Sequence, residues 1–447
     1  MSIPIARSSL TAALVLAGCG PAEPPSPSVR TYTLPAPELK EPAFESHLAI
    51  DPEHPDRIVV AAHYGVGYNR GGRRIWTWRT SDAGHTWIGA DQPLPNAKAA
   101  LAADAVTAFG VDGTAYLSFL FADTTGKRFD GGDAVATMPP DAQGFGPARI
   151  VVEGGLTLAG AAVDKDWLAV DRSGASPNRG ALYLSWHLNK PDFTRGTVAS
   201  TFWLASSRDG GRSFGAPVRV AEAFSGQVAV RIDGTVDVIY GGRQGGAILH
   251  AASTDGGQTF GTPDTVVSLG DGRTFDVPTL VTGSADTLFV CWSETASADS
   301  LRYDIRCARS PGGRRWDPPA SLVPDLPASS SLGFPNAVAT PEGLWVLAYR
   351  ADPDTTRVIL YRSTDAGRSF APRHQLAARP FGAAAFCSGA GAPCRKAPEG
   401  QYFFGGDYFG LAAAAGRLAA AYVLPDGDAP GGRPSVYVSV IDLGADR

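Results

Sequence analysis

The stretch TSDAGHTW, Thr80 to Trp87, sets a hydroxyl residue, an Asp, a Gly, a second hydroxyl and an aromatic at fixed offsets. The template S/T-x-D-x-G-x-S/T-W/F returns as SRDGGRSF (Ser207–Phe214), STDGGQTF (Ser253–Phe260) and STDAGRSF (Ser363–Phe370). A decayed copy, RSPGGRRW (Arg309–Trp316), keeps Gly313 and Trp316 and has Pro311 in place of the Asp. Recurrence at intervals of roughly fifty residues points to a propeller or array rather than one compact core.

A second repeat runs independently of the first: an apolar strand, a turn rich in Gly, Asp or Pro, and another apolar strand. It reads HLAIDPEHPDRIVVAAHY, DAVTAFGVDGTAYLSFLF, DWLAVDRSGASPNRGALYLSWHL, GQVAVRIDGTVDVIYGG, PTLVTGSADTLFVCW, PNAVATPEGLWVLAYR and YFGLAAAAGRLAAAYVL. Near-continuous apolar runs of this kind belong to hairpins buried between other sheets. The eight-residue template follows a third strand in each unit, as in RRIWTWRTSDAGHTW, and a fourth strand follows the template, as in PVRVAE after Phe214. The last unit, ending SVYVSVIDL, lacks a fourth strand, and VRTYTL (Val29–Leu34) is expected to supply it and close the ring. The fold expected is therefore all-β, a β-propeller of seven four-stranded blades, with six blades as the alternative count.

The ends and composition set the compartment. MSIPIARSSLTAALVLAGCG carries Arg7, an apolar run too short to span a bilayer, and the box Leu16-Ala17-Gly18-Cys19. Residues 1–18 read as a signal peptide, 19–28 as a Pro/Ser-rich tether and 29–447 as one propeller domain. The box resembles a bacterial lipoprotein signal, which implies lipid on Cys19 and a membrane anchor outside the cytoplasm. The remaining four cysteines are an even number for an oxidising compartment: Cys387 with Cys394 in one Gly/Ala-rich loop, and Cys291 with Cys307 between neighbouring strands. Their spacings fit no zinc motif, and no metal ligand set is assigned. A formal net charge of −5 with scattered basic residues argues against a nucleic-acid surface.

The repeated template resembles the Asp box, or bacterial neuraminidase repeat, of sialidase-like β-propellers. VDKDWLAVD and FFGGDYFGLAAAAGRLAAAYV resemble stretches of secreted members of that superfamily. The resemblance covers essentially all of the mature chain. It implies that Asp82, Asp209, Asp255 and Asp365 are turn residues on the rim opposite the binding funnel. A carboxylate at that position can accept backbone N–H groups of its own turn, a Gly two residues on can take a positive φ, and the aromatic can anchor the loop between sheets.

Ligand chemistry is expected where loops converge on the entry to each first strand. Residues there are Glu45-Ser46-His47, Asp104, Asp164-Lys165-Asp166, Gln227, Asp276, Asn336 and Asp407-Tyr408. Glu45, His47, Asp104, Lys165, Arg243, Asp276 and Arg350 are the candidate ligand-binding residues. Further arginines on the same expected face are Arg70, Arg73, Arg74, Arg128, Arg195 and Arg273. Guanidinium forks would suit a carboxylate- or sulfate-bearing sugar. As the family runs its chemistry, Tyr408 would be the nucleophile, Glu294 its partner, and Asp166 or Asp104 the acid/base. The first blade opens ESHLAID, with no arginine where the family has its early Arg-Ile-Pro stretch. Asp166, Asp276 and Asp407 offer carboxyl pairs for other glycosidases. No cofactor is required, and a Ca²⁺ ion in the acidic channel would answer the same carboxylates.

The function expected is a monomeric envelope lipoprotein that binds a glycan or another polymer at the propeller mouth. An exo-acting glycoside hydrolase of sialidase type, cleaving terminal acidic sugars, is the first alternative, and a scaffold for envelope assembly is the second.

Overall fold

The computed structural model describes residues 28–35, 41–65, 74–96, 99–123, 130–153, 162–192, 197–241, 246–270, 277–295, 302–381, 406–428 and 432–444. The strands form seven four-stranded antiparallel sheets, each a blade. Six blades are consecutive in sequence, and the seventh takes its outer strand from the other end of the chain: Ser28–Thr33 pairs with Pro434–Asp442. The seven-blade count and the closing role of Val29–Leu34 both hold. The inner strands are Ala43–Ile50, Ala99–Phe109, Ala162–Val170, Phe224–Val230, Thr279–Thr282, Ser331–Thr340 and Gly410–Ala414, in blades one to seven.

The core lies between blades. Leu418–Leu424 of the seventh blade packs with Ile58, Val60 and Trp78 of the first and with Trp345 and Leu347 of the sixth. Strands buried on both faces lose the polar/apolar alternation of an exposed sheet, so Ile58–Tyr64 is buried at every position.

The template turns join third to fourth strands. Asp82 accepts the Thr80 hydroxyl at 2.6 Å, the Thr86 N–H at 2.9 Å and the Thr86 hydroxyl at 2.6 Å, while the Gly84 N–H donates to Thr80 Oγ1 at 3.0 Å. Asp209, Asp255 and Asp365 repeat this set with their own Ser and Thr partners. These bonds hold the Asp82 pKa down to about 2, through the Thr80 and Thr86 hydroxyls first. The aromatic ends, Trp87, Phe214, Phe260, Trp316 and Phe370, each pack onto a core cluster.

The fifth blade revises the alignment of its decayed copy. Ser310 pairs with Leu288, the register that Ser253 and Ser363 take against Val236 and Leu344. Gly312 and Gly313 carry the positive φ pair, 69° and 68°, seen at Gly256 and Gly257. The template hydroxyl is thus Ser310, one residue has been lost from the turn, and the Asp position has gone with it. The Ser310 hydroxyl is buried with no hydrogen-bond partner.

Cys291 and Cys307 are directly opposed on adjacent strands and form a disulfide. Cys19, Cys387 and Cys394 lie outside the described residues, as do Arg243 and Asp276.

Candidate functional site

The inner strands of blades one, two, three and six share a local device. Residues 45 and 46 oppose the single residue 62, residues 104 and 105 oppose 119, 165 and 166 oppose 186, and 334 and 335 oppose 348. Each is a two-against-one β-bulge, which bends a strand and re-aims its side chains. The first bulged residue is left-handed every time: Glu45 (φ 50°), Asp104 (φ 57°), Lys165 (φ 53°) and Phe334 (φ 57°). Non-glycine residues at such angles cost of order 1–3 kcal/mol each and collect at functional sites. Three of the four carry a charge.

Those three charges meet at the entrance of the channel. Lys165 Nζ lies 3.7 Å from Glu45 Oε1 and 3.8 Å from Asp407 Oδ2, and 4.1 Å from the centre of the Tyr408 ring. Glu45 Oε1 accepts the Asp407 N–H at 3.2 Å, and Glu45 Oε2 lies 3.4 Å from His63 Nδ1. One ligand atom each of Glu45, His63 and Asp104 lies within 4.8 Å of the others, an arrangement able to hold a metal ion. Gly406 allows the approach, because a Cβ there would meet Glu45 Cγ at 2.1 Å.

Beneath this layer His47, Trp167 and Tyr408 pack edge to face, with ring centres 5.3 to 6.3 Å apart. The Tyr408 hydroxyl donates to the Ala105 carbonyl at 3.0 Å. Below them a cavity of about 450 Å³ continues along the channel, lined by His47, Trp167, Gln227 and Asn336 at one end and by Ile50 and Phe109 at the other.

Electrostatics divide the carboxyls into two sets. Burial, then Glu45, pushes the Asp104 pKa well up, and burial does the same to Asp166 although the Ser118 hydroxyl donates to it. Asp133, wholly buried, is raised by burial and by Asp166, and neither of its oxygens has a hydrogen-bond partner. Asp164 differs: burial opposes its charge, but His187, 3.4 Å away, and Lys165 outweigh it and lower its pKa. The side chains of Asp164 and Asp407 are 45% and 37% exposed, so accessible carboxyls form the rim and buried ones with raised pKa the floor.

Of the residues expected from sequence, Glu45, His47, Asp104, Lys165, Asp166, Asp407 and Tyr408 converge here. Glu294 does not. It binds Arg306 at 2.7 Å and the Trp292 indole N–H at 2.7 Å in the fifth blade, so it is not the partner of Tyr408. Arg350 is engaged by Asp352 at 2.9 Å, together with Arg357, in the sixth blade. Burial and the Glu45 and Asp104 carboxylates push the Tyr408 pKa well above its ordinary value, which suits a hydrogen-bond donor and not a nucleophile.

Sequence reading missed His63, Asp133, Ser118 and Trp167 as members of the site. Asp133 left a trace: an acid in the third strand of its blade, where the first, third and fourth blades carry Ile75, Phe202 and Ile248 at the same register.

No family model matches this chain, and no curated protein matches it. Among solved structures, a protein of unknown function from Dyadobacter fermentans superposes with a TM-score of 0.50 at 14% identity, covering 93% of this chain and 99% of the other. An ulvan lyase, a polysaccharide lyase bound to -[GlcA(1-4)Rha3S]-, superposes with a TM-score of 0.54 at 12% identity, covering 90% and 95%. The Hadza microbial sialidase Hz136 reaches a TM-score of 0.43 at 16% identity over 74% and 65%. At such identities, the two likenesses at 0.50 and above speak for the propeller fold.

Proposed function

We propose that the chain is a carbohydrate-active propeller that takes a glycan at the mouth of its channel. The observation that carries this reading is the convergence of Glu45, Asp104, Lys165, Asp166 and Tyr408, from blades one, two, three and seven, on one concavity rimmed by Asp164 and Asp407. Concave sites with a few convergent polar groups and shifted pKa values are where ligands bind. The ulvan lyase, which shares the fold and is seen with a saccharide, supports a glycan as the ligand class.

A hydrolytic reading is favoured by the two sets of carboxyls. Burial raises the Asp166 pKa while Asp407 stays partly exposed, the kind of difference that a glycosidase needs between acid and base. A sialidase-type course is the weaker form of it, since Tyr408 is held protonated and Arg350 is committed to Asp352.

The box ending at Cys19 and the Cys291–Cys307 disulfide support an oxidising, extracytoplasmic setting with a lipid anchor. A Cys19→Ser variant would then leave the membrane fraction.

The test is retardation of the folded protein in gels containing neutral or acidic polysaccharides, with reducing ends and unsaturated ends measured in parallel. Retardation weakened by Asp407→Asn supports glycan binding. Reducing ends released by the native chain and lost in Asp166→Asn, with retardation intact, support hydrolysis. Neither retardation nor cleavage across the panel overturns the carbohydrate reading, and a co-purifying envelope protein would put the scaffold role in its place.

A further inference from the structure

Glu45 and Asp104 bring two carboxyls together in a buried place, and Lys165 neutralises them from one side only. Glu45 Oε1 faces that side, where it meets the Lys165 ammonium and the Asp407 N–H. Glu45 Oε2 faces the other way, towards His63 Nδ1 at 3.4 Å, and it has no hydrogen-bond partner although the side chain is only 8% exposed. A buried carboxylate oxygen left in this state is costly unless something binds it.

We propose that Glu45, His63 and Asp104 form a binding site for a divalent first-row transition-metal ion of the zinc or manganese type, at the head of the channel. Their ligand atoms lie within 4.8 Å of one another, all three residues are buried, and they come from two adjoining blades. Donors around such an ion stand ~3–4 Å apart, as bonds of about 2.0–2.2 Å require, so modest side-chain rotation closes the set. The backbone has been bent to make the set: Glu45 and Asp104 each head a bulge in left-handed conformation. The His63 ring is stacked on Phe44, ring centres 5.3 Å apart, which fixes its plane.

The donor set selects the metal. One imidazole nitrogen with two carboxylates suits zinc or manganese, whereas Ca²⁺ and Mg²⁺ take oxygen alone. The ion resolves the repulsion between the two carboxylates that a shared proton otherwise relieves, and three protein ligands leave a further position for water. The site is independent of the glycan reading, since its assay needs no sugar.

The experiment is calorimetric titration of the full chain, stripped with chelator, with Zn²⁺, Mn²⁺ and Ca²⁺. One equivalent of Zn²⁺ or Mn²⁺ is expected to bind, more tightly than Ca²⁺, and Glu45→Gln and His63→Gln should each weaken it at least about a hundredfold. No saturable binding overturns the proposal, as does binding that both variants leave unchanged, which would place the ion at exposed His54 or His85. Tighter Ca²⁺ than Zn²⁺ binding overturns the imidazole-containing set. Where thermal unfolding shows a variant misfolded, anomalous scattering from crystals of the native chain soaked in Zn²⁺ decides the matter: an ion anywhere but between Glu45, His63 and Asp104 refutes the site.

Discussion

Glu45 of the first blade and Lys165 of the third are ion-paired at 3.7 Å while both hold left-handed backbone, φ 50° and 53°. Two strained residues thus meet across the blade that separates them, with Asp104 of that blade in the same conformation. Strain of about 1–3 kcal/mol per residue persists only where the surroundings over-determine it, and here the cross-blade charges do so.

Lys165→Met follows from that arrangement. It keeps the stem and removes the ammonium that faces Glu45, Asp104 and Asp407, so a loss of about 3–5 kcal/mol is expected at neutral pH. Burial opposes the charge on Lys165, but Glu45, Asp104, Asp407 and Asp164 together outweigh it and raise its pKa. A raised value means that the stabilisation is complete below the ordinary lysine pKa of about 10.4 and is lost as pH rises through the folded value. The gap between variant and native chain should narrow in acid, where the carboxyls protonate. Urea unfolding across the pH range checks this, and a gap that is flat with pH would refute it.

His47 behaves in the opposite sense. It accepts the Thr107 N–H at Nδ1, 3.1 Å, and burial lowers its pKa to about 4. A depressed histidine contributes stability that is present above its unfolded pKa, about 6.5, and is lost as pH falls towards about 4, some ~3 kcal/mol in full. His47→Gln retains an acceptor without the titration. The native chain should therefore lose stability relative to His47→Gln over that window, and parallel unfolding curves for the two would exclude the mechanism.

The turns give a paired prediction. Ser363 donates to Asp365 at 2.7 Å and accepts the Gly367 N–H at 2.8 Å, whereas the Ser310 hydroxyl is buried without a partner. Removing a satisfied hydroxyl leaves its partners wanting, while removing an orphan relieves a desolvation penalty. Ser363→Ala should cost about 1–2 kcal/mol and Ser310→Ala should be neutral or stabilising. Equal losses in chemical denaturation would show that the fifth-blade turn is satisfied after all.

Most of the architecture was legible because propeller blades repeat. The template at Thr80–Trp87 marks third-to-fourth-strand turns, and VRTYTL was the one apolar strand left to close the ring. The decayed copy misled by one residue, since Pro311 filled the gap that a deletion had made, and only the pairing of Ser310 with Leu288 reveals it. The charged residues entering each inner strand could be read as a group. Their partners could not, because His63 reaches Glu45 through hairpin register and Asp133 reaches Asp166 across blades. Glu294 shows the converse: it sits near the end of its strand as expected, yet Arg306 on the next strand, paired with Trp292, claims it.

Gly406 tests whether the mouth geometry is tuned by close approach. It holds φ 113°, and a Cβ there would stand 2.1 Å from Glu45 Cγ and 2.8 Å from the Glu45 amide nitrogen. Gly416, in the hairpin turn of the same blade, also has a positive φ, 77°, but a Cβ there meets nothing within 4 Å. Gly416→Ala isolates the conformational cost, about 1 kcal/mol. Gly406→Ala adds a steric clash that must displace Glu45, for a total of about 2–4 kcal/mol. Its second effect should be on Lys165: with Glu45 displaced, the ammonium loses a carboxylate and its pKa falls. Nitrogen-detected NMR titration of Lys165 in the two variants separates the outcomes. A lowered value in Gly406→Ala alone places the glycine in the positioning of Glu45, whereas identical titrations would reduce it to a turn residue.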